Sequence, residues 1–351
     1  MSPSTHRRPV ALLFPGQGSQ HLRMAAGLYR HDPVFTLAMD RVLGLMGGEG
    51  PALRRDWLSD DPAIGIDDVR RAQPLLFAVD YSLGRMVLSW GVRPTALLGH
   101  SAGELAAAAL AGVMRLSDAV RMVRERVRAA LLVPPGGMLA VGASAEQVRP
   151  FLTPDVVLAA VNATAQVMLA GPGEPLDRVA DALRGTGLTV VRVPATSPFH
   201  SPAMAPASDA IEPVYATVRF RPPTVALYSG YTGGLMTDEN ACSPRFWARQ
   251  VTDPVYFAPA LDLLLAADDM HLVEAGPRQT LTAFARRHRA VRVRASAATA
   301  LLPARPGTPD ADRAAVATAA RRLREEGYPR ALPVTANAPA PTPEPALAEA
   351  G

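Results

Sequence analysis

Apolar residues along this chain fall into short continuous runs separated by stretches of helical spacing. Val10-Ala11-Leu12-Leu13-Phe14 is such a run, closed by Pro15-Gly16. Its length and flanks suit a strand buried on both faces. Pro94-Thr95-Ala96-Leu97-Leu98 reads as a second short buried strand, and Glu104 to Ala111 as a strong helix start after it. Helices and apolar strands alternate through residue 124, the order that a largely parallel sheet requires. A different rhythm then begins. Gly137–Val141 predicts a strand, Ser144–Leu152 a helix, and Val156–Val161 and Gln166–Ala170 two strands joined by an Asn-Ala-Thr-Ala turn. Leu176–Arg184 predicts a helix and Leu188–Val193 a strand, completing a β-α-β-β-α-β order that is ferredoxin-like. Strands near Thr224–Tyr228 and at His271–Val273 return to the first pattern, and Ala311–Glu326 predicts an arginine-rich helix.

The expected organisation is an α/β chain with a large domain in two parts, residues 1–136 and 197–300. A ferredoxin-like subdomain at 137–196 is inserted between them, and a helical extension follows at 301–332. Prolines at 339, 341, 343 and 345 mark residues 333–351 as a disordered Pro/Ala-rich tail or linker.

Three segments carry candidate chemistry. Gly99-His100-Ser101-Ala102-Gly103 fits G-x-S-x-G between a strand and a helix, where a serine on a tight turn projects its hydroxyl clear of the backbone. The helix N-terminus beyond it favours developing negative charge. Taken alone, the same residues also describe an ordinary βα turn with a capping serine. Phe14-Pro15-Gly16-Gln17-Gly18-Ser19-Gln20 is a loop whose glycines let backbone N–H groups approach a bound group. Pro198-Phe199-His200-Ser201-Pro202 supplies a histidine in a stiffened loop, and a serine needs such a base to become a nucleophile at neutral pH.

In this order and spacing, F-P-G-Q-G-S-Q, G-H-S-A-G-E, an arginine segment, F-H-S and V-E-A-G-P resemble the malonyl-CoA:acyl carrier protein transacylase family over roughly residues 9 to 300. That family includes the acyltransferase domains of polyketide synthases. The resemblance implies an α/β-hydrolase-like large domain with a mainly parallel sheet plus the inserted ferredoxin-like subdomain. It implies Ser101 as the acylated nucleophile, His200 as general base, and the N–H groups of Gln17 and Ala102 as the oxyanion hole. Gln250 falls where the family has a glutamine whose main-chain carbonyl orients the histidine, making a Ser–His dyad rather than a carboxylate triad. His100 and Phe199 fall at substrate-contacting positions; the ring of Phe199 leans toward malonyl over α-methylated groups, while Ala102 and Ser197-Pro198 depart from the common malonyl pattern and leave room for an unusual acyl group. Arg126 matches the arginine that grips a malonyl carboxylate, a task suited to a planar guanidinium. Arg121, Arg124, Arg126 and Arg128 share one predicted helix, and such a run is also what a solvated face looks like. Val127 and Ala130 depart from the family's usual residues, which puts substrate choice in doubt rather than chemistry.

The implied reaction takes acyl-CoA as substrate and the phosphopantetheine of an acyl carrier protein as acceptor, with no bound cofactor and no metal. A carrier-to-carrier transfer of a starter or aminoacyl-type group, which would not need Arg126, and a serine hydrolase are the alternatives. Composition agrees with a cytoplasmic globular enzyme. Hydrophobic residues make up 48% and charged residues 19%, and Cys242 stands alone, so no intramolecular disulfide forms. All 36 basic side chains are arginine and the net charge is +4. That basic balance suits an acidic carrier protein and the coenzyme A phosphates. Aromatics at 5% and no basic-aromatic cluster argue against nucleic acid. The longest apolar helix is too short to span a bilayer. The Met1 start, with no carrier or ketosynthase sequence attached, leads to the expectation of a free-standing monomer acting in trans, with an excised domain as the other option.

Overall fold

The computed structural model describes residues 7–328; the predicted tail at 333–351 lies outside them. Ten strands are formed among the described residues: β1 (Val10–Phe14), β2 (Ala96–Gly99), β3 (Gly136–Val141), β4 (Val157–Ala163), β5 (Gln166–Pro172), β6 (Val190–Arg192), β7 (Ala226–Ser229), β8 (Gly234–Leu235), β9 (His271–Glu274) and β10 (Ala297–Ala300). Six of them make one sheet in the order β10-β9-β1-β2-β7-β8. Every neighbour pairing in it is parallel except the last, β7 with β8. Strands β1, β2 and β9 are buried at every position, as their unbroken apolar runs require. Helices cover both faces. One face packs against the long helix Val69–Ser89 and the helix Gly103–Leu110, and the other against Phe257–Ala267 and Thr280–Arg287.

The remaining four strands form a separate antiparallel sheet, order β4-β5-β3-β6, with the helix Gly173–Gly185 packed on it. This is the strand order of a ferredoxin-like unit, and its core of Leu139, Val141, Val148, Val167, Leu169, Leu176 and Leu183 is its own. The chain is thus a mixed α/β fold of two sheets, as the two rhythms predict. Two local expectations change. The predicted helix Ser144–Leu152 is a single α-turn, Ala145–Val148, followed by a 3-10 turn at Arg149–Phe151, because Pro150 cannot donate the hydrogen bond that would continue it. Strand β4 runs on to Ala163, so Asn162 sits in the strand rather than in the predicted turn.

The arginine-rich extension forms the helix Pro309–Glu325, which returns to the large sheet. Its buried Asp312 accepts a hydrogen bond from the Gly27 N–H at 3.0 Å. Tyr328 just beyond it donates to the Arg8 carbonyl at 2.9 Å.

Candidate active site

The site is built where β1 and β2 end side by side. Their register pairs Phe14 with Gly99, so the loop after β1 and the turn after β2 leave the sheet together. Small residues make the approach possible. A Cβ on Gly103 would stand 2.2 Å from the Phe14 carbonyl oxygen, and one on Gly16 would stand 2.5 Å from that of His100. Ser101 sits on the turn with φ +51°, in the left-handed region that a β-carbon disfavours. The strain is held by the turn's own bonds, from Gly103 N–H to the His100 carbonyl and from Glu104 N–H to the Ser101 carbonyl, both 3.0 Å.

His200 reaches this serine from a loop 99 residues later. The Ser101 hydroxyl and His200 Nε2 are 2.7 Å apart. His200 also has positive φ, +63°, and its N–H is tied to the Val251 carbonyl at 2.7 Å. Its Nδ1 lies 3.0 Å from the carbonyl of Asp253. With Nδ1–H donating there, Nε2 is left as the acceptor for the serine proton. Two main-chain carbonyls face the ring, that of Asp253 and the Gln250 carbonyl expected in the orienting role. The Asp253 carbonyl makes the principal bond and the main chain of Gln250 only a weaker one. The helix Pro244–Arg249 ends at Gln250, and the turn after it carries the Asp253 carbonyl under the ring. Burial, helped by the Arg126 charge, pushes the His200 pKa down to about 3, so the imidazole is neutral at physiological pH.

Gln250 also turns its side chain inward, donating from Nε2 to Glu104 Oε1 at 3.1 Å. Glu104 is wholly buried in the first turn of the helix behind Ser101. It also accepts from the Ser229 hydroxyl at 2.7 Å and the Gly230 N–H at 3.1 Å. Burial outweighs these bonds and the nearby Arg126 charge, raising its pKa to about 8. Sequence reasoning read Glu104 only as a helix-start residue. An acid directly before the apolar run Leu105–Ala111 was the available sign that it faces inward.

Arg126 is buried, 2% exposed, on the helix Leu116–Ala130, and is no part of a solvated face. Arg128 is exposed and Arg124 half-buried, and both reach toward Glu49. The Arg126 guanidinium lies 5.7 Å from the Phe199 ring centre, and its Nε and Nη2 have no hydrogen-bond partner. Phe199 is buried and lines a cleft of about 180 Å³ between the two sheets; Arg126 is set back from that cleft. Gln17, His100, Ser101 and His200 line it from the large sheet, and Met138, Asn162 and Met168 from the small one. Asn162 Oδ1 and His100 Nε2 are 2.7 Å apart, a bond that spans the two sheets. Burial lowers the His100 pKa, so its ring donates to Asn162 as a neutral group. Ala102 is buried beside Ser101. Among the described residues no main-chain acceptor takes the N–H of Gln17 or of Ala102. Among the described residues no cluster of side chains suits a metal ion, and no helix is long and apolar enough to cross a membrane.

The chain is similar to a phenolphthiocerol/phthiocerol polyketide synthase component of Mycobacterium tuberculosis, 40% identical over 280 residues. It is also similar to the spectinabilin polyketide synthase system protein NorB of Streptomyces orinoci, 34% identical over 309 residues. These matches take in 80% and 86% of this chain but only 19% and 14% of those proteins, so the chain spans less than a fifth of their length. Among solved structures, it superposes on the acyl transferase domain of SpnD in complex with 2-(pent-4-yn-1-yl)malonyl. The TM-score is 0.85 at 31% identity, over 94% of this chain and 79% of that one. The fold is shared with FabD from Acinetobacter baumannii, TM-score 0.79 at 23% identity, over 91% of this chain and 99% of that one. The model of the acyl transferase domain matches residues 11–325, and with the elbow serine, the distant histidine and the two-sheet architecture all in one cleft, the chain belongs to that family of acyltransferases.

Proposed function

We propose that the protein moves a malonyl group from coenzyme A to the phosphopantetheine thiol of an acyl carrier protein, through an ester on Ser101, in polyketide or fatty acid biosynthesis. The observation that carries the chemistry is the 2.7 Å contact between the Ser101 hydroxyl and a neutral, carbonyl-oriented His200. His200 Nε2 takes the serine proton as Oγ bonds to the thioester carbon. The negative charge on the carbonyl oxygen is met by the N–H groups of Gln17 and Ala102. The carbon–sulfur bond then breaks and His200 returns the proton to the departing thiolate. The carrier thiol reverses the sequence, losing its proton to His200 and regenerating the Ser101 hydroxyl.

The choice of a substrate with a free carboxylate rests on Arg126. A buried guanidinium with two unpartnered nitrogens is costly unless an anion completes it, and a planar carboxylate matches its fork. A neutral Glu104 does not cancel that charge. Phe199 lies beside Arg126 and lines the cleft, and its bulky ring supports a preference for malonyl over α-methylated groups. The arginine-only basic surface suits an acidic carrier, and we place the reaction in the cytoplasm.

Intact-protein mass spectrometry after incubation with a panel of acyl-CoAs tests the reading. Malonyl-CoA should add one malonyl group to the wild type and none to Ser101→Ala. A covalent adduct persisting in that variant removes Ser101 from its role. Acylation by uncharged acyl groups in preference to malonyl would favour carrier-to-carrier transfer of another group.

A further inference from the structure

Tyr231 stands beside the dyad, yet nothing in the chemistry above uses it. It lies in the turn between β7 and β8, and its backbone is pinned by two hydrogen bonds. Its own N–H donates to the Ser229 hydroxyl at 3.0 Å, and the preceding Gly230 N–H donates to Glu104. Its ring is fixed between two others. The centroid is 5.9 Å from that of His200, and 6.4 Å from that of Phe246, which meets it edge-on at 85°. The hydroxyl is thereby carried into the interior, facing the Ser101 side chain and the Arg126 guanidinium. It forms a well-directed hydrogen bond with neither and is left buried without a partner.

Buried tyrosine hydroxyls normally find partners, and a group that does not calls for an explanation. Here it is not isolated. Arg126 Nε and Nη2 are buried and unpartnered as well, while the Ser101 hydroxyl is committed to His200. Three unused donors therefore converge beside the nucleophile. A carboxylate is an acceptor with about four lone-pair sites and takes all three; a methyl or alkyl group offers none. Burial raises the phenol pKa, so Tyr231 keeps its proton to donate over the whole working range.

We infer that Tyr231 is a substrate-binding residue whose hydroxyl donates to the free carboxylate held by Arg126, fixing how that carboxylate is turned beside Ser101. The inference rests on the malonyl-type reading above and adds a specific donor to it. The tyrosine breaks and makes no bond, and the proton path between Ser101 and His200 is unchanged by it.

The test is single-turnover acylation by malonyl-CoA and by acetyl-CoA, read by intact-protein mass spectrometry, for Tyr231→Phe beside Arg126→Ala. The phenylalanine keeps the ring and its contacts with His200 and Phe246, and an unchanged melting temperature checks that it does. Tyr231→Phe should slow malonyl acylation about tenfold or more, the usual weight of a hydrogen bond to a charged group, and leave acetyl acylation within about twofold. If Arg126→Ala impairs malonyl selectively while Tyr231→Phe does not, the tyrosine is outside the carboxylate site and the inference falls alone. Equal slowing of both acyl groups by Tyr231→Phe would place the hydroxyl on Ser101 instead, and also overturns it. If neither variant distinguishes malonyl from acetyl, the malonyl-type reading fails and takes the inference with it.

Discussion

Replacing Glu104 by glutamine asks whether the carboxyl behind Ser101 is neutral, on which the free charge of Arg126 depends. The side chain is fully buried among donors, and its pKa is raised from 4.5 to about 8 because burial outweighs the bonds from Ser229, Gly230 and Gln250. A group whose pKa is higher in the folded state holds its proton more tightly there. Its contribution to stability is therefore complete below the unfolded value and is lost as pH rises toward the folded one. Each pH unit inside that window is worth about 1.4 kcal/mol. Between roughly pH 5 and pH 7.5 the wild type should thus lose on the order of 3 kcal/mol through Glu104 alone. Glu104→Gln keeps the shape and cannot titrate, so it should lose none of this. Urea or thermal unfolding of both proteins at the two pH values gives the answer, since taking the difference between them cancels every other titrating group. The variant should gain on the wild type as pH rises. A stability difference that stays constant with pH would mean that Glu104 is ionised and paired with Arg126. The guanidinium would then already have its anion, and the case for a carboxylate substrate would weaken.

Other expectations follow from the same geometry. Because His200 is held neutral down to about pH 3, single-turnover acylation should show no acidic fall near pH 6.5; a fall there would mean that the histidine titrates normally. If Phe199 crowds the α-carbon, malonyl-CoA should acylate faster than methylmalonyl-CoA by about tenfold or more, and Phe199→Ala should narrow that gap. Equal rates in the wild type would end that role for the ring. Gly103→Ala would force a Cβ to 2.2 Å from the Phe14 carbonyl oxygen and 2.5 Å from that of Pro15. Neither backbone oxygen can swing away, so a cost of about 1–3 kcal/mol or more and loss of acylation are expected, checked by melting temperature and adduct formation. Arg124→Ala and Arg128→Ala, whose side chains reach toward Glu49 and, for Arg128, Glu125, should leave malonyl discrimination intact in the acylation assay.

From the amino-acid sequence alone come the elements and the candidate pair, Ser101 and His200. Short apolar runs closed by Pro and Gly, such as Val10–Phe14, suit strands covered on both faces, and the change of rhythm after residue 136 marks a second sheet. Ser101 and His200 were legible because their neighbours shape the backbone locally: glycines around one, prolines around the other. The tertiary structure decided whatever depends on groups distant in sequence meeting one another. Which carbonyl lies under His200 Nδ1 depends on how a turn after Gln250 packs, and the answer is Asp253. Asn162 meets His100 only because β4 extends further than its turn-like residues suggest and the two sheets close on each other. An arginine among four on one helix shows its buried position only once that helix has a neighbour, since periodicity cannot say which face is covered. Glu104 and Tyr231 stayed hidden for the same reason. An acid in a helix start and a tyrosine in a glycine-rich turn are ordinary in sequence, and only packing buries the Glu104 carboxyl and the Tyr231 hydroxyl.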